Sequence, residues 1–103
     1  MDKIKMSSIY GEFGNKNKIE LRTLKFKVEP TIIQQIDKIR EEDDEFIRAI
    51  LKCDQLNAIE EFHDKISSSL NALKMIGVSI EDIVKGQDRH FNKLLKRGWE
   101  FDE

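Results

Sequence analysis

Between residues 23 and 28 apolar and polar positions alternate, with Leu24, Phe26 and Val28 on one parity and Thr23, Lys25 and Lys27 on the other. A period of two marks a half-exposed strand. Ile19 and Leu21 sit on the opposite parity, so the phase slips near Arg22-Thr23, as at a bulge or a change of buried face. Upstream, Ser7 to Phe13 carries Ile9, Tyr10 and Phe13. Gly14-Asn15-Lys16-Asn17 then supplies residues that tolerate positive φ. The pattern predicts a β-hairpin over about 7–28.

After Pro30 the period changes to that of a helix. Ile32, Ile33, Ile36 and Ile39 form one apolar stripe, and Phe46, Ile47, Ile50 and Leu51 another. Between them stand Glu41, Glu42, Asp43, Asp44 and Glu45. The spacing 32, 36, 39, 43, 46, 50 fits one helix over 31–53. Repulsion among five carboxylates, with Asp43 or Asp44 as a cap, fits two. Asp54 then caps a helix over about 55–76 with Leu56, Ile59, Phe62, Ile66, Leu70 and Leu73 on one side, closed by Gly77. Ser79 to Asp82 resembles a capping box for a short helix through Val84. Gly86 interrupts it, and a last helix runs from about Gln87 to Arg97. Residues 98–103 are a tail. The expected fold is α+β, mainly α: an N-terminal β-hairpin followed by four or five helices in one single-core domain over 1–103.

The chain has 103 residues, one Cys and 39% hydrophobic residues, which fits one modest core. No run approaches the roughly 20 apolar residues that cross a bilayer. The N-terminus lacks the apolar stretch of a secretory signal, and a lone Cys53 builds no disulfide framework. A cytoplasmic location is expected, with no membrane partner. Cys53 lies in an apolar pattern and is expected to be a small buried hydrophobe. Fourteen Ile against three Ala, and thirteen Lys against five Arg, is usage common in AT-rich genomes, including those of phages and mobile elements.

Catalytic chemistry is missing. His63 and His90 stand apart, outside any metal-ligand spacing. No phosphate-cradling Gly loop exists, and Ser67-Ser68-Ser69 lies mid-helix without a base. The run Glu41–Glu45 lacks the alternating ligands and Gly of a calcium loop. The chain is therefore expected to be no enzyme, with no cofactor, no metal and no small-molecule substrate.

Charge is uneven: +4 over residues 1–28, −7 over 29–64 and +1 over 65–103. Leu24-Lys25-Phe26-Lys27-Val28, Pro30 at a helix start and Glu45-Phe46-Ile47-Arg48 resemble parts of ribbon-helix-helix DNA-binding proteins. That resemblance covers about residues 22–53. It implies a dimer whose strand reads the major groove, with Arg22, Lys25 and Lys27 facing DNA. The acidic run would stand where the second helix of that family offers its N-terminus to phosphate. The leading expectation is a non-enzymatic protein-interaction module: an assembly chaperone, adaptor or small regulator that binds a protein partner or itself. Its candidate contacts are Trp99 and Phe101 in the tail and Glu41, Glu42, Asp44 and Glu45 in the acidic run.

Overall fold

A computed structural model describes residues 19–102 of the chain. An extended segment leads into three helices, α1 (Ile32–Leu51), α2 (Gln55–Met75) and α3 (Ile80–Lys96). The described residues contain no strand, so the fold is a small helical one and not a β-hairpin with four or five helices. The first arm of the expected hairpin, 7–13, and its turn lie outside the described residues.

The second arm is extended but joins no ladder. At Leu24 its backbone is satisfied by side chains of α2. The Leu24 N–H donates to Asn71 Oδ1 at 2.8 Å, and Lys74 Nζ donates to the Leu24 carbonyl at 2.8 Å. Lys74 Nζ also stands 5.2 Å from the centre of the Phe26 ring. The alternation of 23–28 is not matched by burial, since Phe26 is half-buried but Leu24 and Val28 are exposed.

α1 is one helix, not two. Thr31 and Gln34 form a capping box, with Thr31 Oγ1 accepting from the Gln34 N–H at 3.1 Å and Gln34 Oε1 from the Thr31 N–H at 2.9 Å. The acidic run does not break it, because successive residues point about 100° apart and meet different cations. Lys38 lies 3.3 Å from Glu41 and 4.0 Å from Glu42, Arg48 lies 3.5 Å from Asp44, and Lys65 of α2 lies 3.1 Å from Asp43.

The turn into α2 is Lys52-Cys53-Asp54. Cys53 is exposed with φ +55°, so it is not the buried hydrophobe its neighbours suggest. It takes the left-handed position that glycine usually fills after a helix, and the Asp54 N–H closes the turn on the Ala49 carbonyl at 3.0 Å. Asp54 then caps α2 through the Asn57 N–H. Gly77, with φ +90°, ends α2, where the Val78 N–H reaches the Leu73 carbonyl at 2.9 Å. Ser79 and Asp82 cap α3, and two hydrogen bonds from Ser79 hold the Asp82 carboxyl below its ordinary range. Gly86 does not interrupt α3; the two expected C-terminal helices are one. A single helical Gly costs about 1 kcal/mol, too little to break a helix that is well capped.

α1 and α2 form an antiparallel pair, the one pair of described helices that pack closely. On α1 the facing positions are Gln35, Ile39, Glu42, Phe46 and Ala49, spaced as in a heptad seam. On α2, Ala58, Glu61, Lys65, Ser68 and Ala72 occupy matching positions. Gln35 Nε2 donates to the Ser68 carbonyl at 2.9 Å within this seam. The apolar stripe through Ile32, Ile36, Asp43 and Ile50 lies about a quarter turn round from the seam. It meets the α2 stripe on the same flank, where the Phe46 and Phe62 rings are 6.2 Å apart. Ala49 and Leu70 are the buried apolar residues of the described chain, beside four buried polar ones: Gln35, Glu42, Ser68 and Asn71. The radius of gyration, 15.9 Å, exceeds the roughly 12–13 Å expected of a compact chain this size.

Two substitutions test this local account by thermal unfolding. A Cβ at Gly86 meets open space, so Gly86→Ala should stabilise the fold by about 1 kcal/mol. Cys53→Gly should stabilise it by up to about 1 kcal/mol by relieving the positive φ. Loss of stability in either variant would contradict the helix or turn described.

Candidate functional site

Two features stand out on the helical hairpin: a carboxylate cluster inside the seam and an apolar surface at the tip. The seam cluster arises because heptad spacing brings Glu42 and Glu45 of α1 opposite Glu61 and Asp64 of α2. One oxygen from each of Glu42, Glu45 and Glu61 lies within 4.8 Å of the others. Glu42 is 6% exposed, and Glu61 Oε1 is buried without a hydrogen-bond partner. Burial pushes the Glu42 carboxyl up to about 7. A proton-sharing hydrogen bond with Glu45 and the charges of Asp64 and Glu45 act in the same direction, against the attraction of Lys38. Desolvation, then the Glu45 charge, raises Glu61 above the usual carboxylate range.

Chemically, such a cluster can hold a shared proton. Its three oxygens are also the ligand type hard cations take. His63, on the same helix as Glu61, sets its ring against Phe62 at 5.6 Å.

Of the acidic residues singled out in sequence, the structure separates Glu41 and Asp44 from Glu42 and Glu45. The first two are exposed and pair with Lys38 and Arg48. The second two enter the seam. Glu61 and Asp64 were missed because their partners sit on another helix. A signal existed: Ala58, Glu61, Lys65, Ser68 and Ala72 keep heptad spacing with no large apolar residue among them. In the tail, Phe101 docks edge-on to Phe91 of α3 at 5.1 Å, while Trp99 remains 65% exposed. Arg22, Lys25 and Lys27 are exposed; Arg22 pairs with Glu20 at 3.0 Å. The unbroken α1 leaves no second-helix N-terminus of the ribbon-helix-helix kind.

The apolar surface gathers at the loop end. Ile47, Ile50 and Leu51 leave α1 there, and Leu56, Ile59 and Phe62 enter on α2, all exposed, Leu56 to 84%. A second apolar surface is a groove of about 740 Å³ between α2, α3 and the extended segment, lined by Ile19, Leu21, Ile66, Ile83, Val84 and Phe91 among others. No helix among the described residues is long and apolar enough to cross a membrane. No protein-family model, characterised protein or solved structure matches the chain.

The cluster makes stability depend on pH. The folded Glu42 carboxyl, near 7, binds its proton more tightly than the unfolded one, near 4.5. Between those values the folded state holds more protons, so stability falls as pH rises from about 4.5 to 7 and then levels off. The loss should be about 2 kcal/mol, allowing for solvent at the rim of the seam. Glu42→Gln should flatten this dependence and raise the melting temperature at pH 8, with little change at pH 4.5. A variant that keeps the full slope would place the proton elsewhere.

Proposed function

We propose that the protein is a non-enzymatic interaction module, a small adaptor, assembly chaperone or regulator that works by binding another polypeptide in the cytoplasm. The observation that carries this reading is the imbalance between buried and exposed apolar residues. Two are buried, while seventeen large apolar side chains among the described residues stand exposed. Scattered surface apolar residues are ordinary, but a contiguous apolar patch marks an interaction site. The hairpin tip is such a patch, and its residues come from two helices that hold it in a defined shape.

The seam supports the same reading. A polar seam spends the facing positions of α1 and α2 on Gln35, Glu42, Lys65 and Ser68, so the apolar flank of each helix remains for a partner. Trp99 is a further candidate contact, whereas Phe101 already rests on Phe91. Exposed Lys25 and Lys27 leave nucleic acid as a competing partner. That partner would have to approach a hairpin carrying the −7 segment 29–64.

The test is a photo-crosslinking amino acid placed at Leu56, or at the exposed polar control Lys85, in cells that make the protein. Discrete protein adducts from position 56 and none from 85 are expected. Equal patterns, or none from 56, would remove the reading. Anisotropy with duplex DNA at low salt checks the competitor: binding lost with Lys25→Glu and Lys27→Glu would turn the assignment to nucleic acid.

A further inference from the structure

We infer that the hairpin tip is a self-association surface: a second copy of this chain packs its own tip against Ile47, Ile50, Leu51, Leu56, Ile59 and Phe62. The inference rests on the interaction-module reading and names the partner.

Area is the first argument. A large side chain offers on the order of 200 Å² when fully exposed. Scaled by their fractional exposures, the six tip residues present on the order of 700 Å² of mostly apolar surface. A soluble monomer seldom leaves that much contiguous apolar surface in water, its largest patch being roughly 300–600 Å². One partner's share of an ordinary specific interface is about 800 Å². The tip is therefore nearly the right size without help from the groove near α3.

Charge is the second argument. Lys52 and Asp54, of opposite sign, both stand exposed in the turn that ends the hairpin. A two-fold axis that sets α1 of one copy against α2 of the other brings these unlike charges together. A uniformly charged partner would be repelled by one of the two.

Helix geometry is the third. Each copy supplies one apolar stripe from α1 and one from α2 on the same flank, joined through Phe46 and Phe62. Two such hairpins make a four-helix packing, which covers stripes that a single hairpin cannot cover because its own seam is polar.

The test uses the full chain. Light scattering on a size-exclusion column at tens of micromolar should give twice the 12.1 kDa chain mass. Ile50→Glu and Leu56→Glu, each alone, should halve that mass with helical circular dichroism retained, since both side chains are exposed and no core is disturbed. Cys53, the single cysteine, lies in the turn at the tip. A short bismaleimide should therefore join two native chains through Cys53, and this readout needs no folded variant. A monomer at every concentration, or a dimer indifferent to both Glu variants and not joined through Cys53, overturns the inference. If the purified chain is monomeric but position 56 still crosslinks to other proteins in cells, the second copy fails and the module reading stands. If position 56 crosslinks to nothing, the module reading itself fails.

Discussion

The structure depends on a polar seam. Where α1 meets α2, the facing residues include Gln35, Glu42, Lys65 and Ser68, with Ala49, Ala58 and Ala72 as the small residues that let the helices approach. Buried polar groups are tolerated when they find partners, as Gln35 does at the Ser68 carbonyl. Such a seam specifies register, because a shift of one turn would part Gln35 from the Ser68 carbonyl. It also displaces the large apolar residues to the flanks. The small buried core, the exposed tip and the groove beside α3 all follow from that displacement.

The carboxylates in the seam add a second consequence. Glu42, Glu45, Glu61 and Asp64 crowd negative charge into a space where Lys38 at 4.0 Å is a distant counter-charge for Glu42. The simplest relief is a retained proton, which ties the hairpin's stability to pH near neutrality. This arrangement differs from the outer half of the acidic run. Glu41 and Asp44 hold exposed ion pairs that contribute little.

The segment 19–30 carries the alternation of a strand without its burial: Phe26 is partly covered, while Leu24 is 56% and Val28 85% exposed. Asn71 and Lys74, one turn apart on α2, hold the segment by taking up the backbone N–H and carbonyl of Leu24. Neither residue is near Leu24 in sequence.

Local chemistry alone determined much of this protein. The capping residues Asp54 and Ser79, the closing glycine Gly77 and the long apolar stripe of α2 were legible as helix boundaries, since capping involves residues a few positions apart. The uneven charge was legible too. Which face of each helix would be buried was not. A stripe of Ile and Leu reads as a core in sequence, but the pairing of α1 with α2 put the polar positions inside. The fusion across Gly86, the continuity through Glu41–Glu45 and the exposure of Cys53 were not settled by the residue pattern either. Each turned on an energy of about 1 kcal/mol or less, which neighbouring ion pairs, caps or turn hydrogen bonds readily outweigh. The joining of Glu42 and Glu45 to Glu61 and Asp64 depended wholly on the register between two helices, a long-range property that no local pattern encodes.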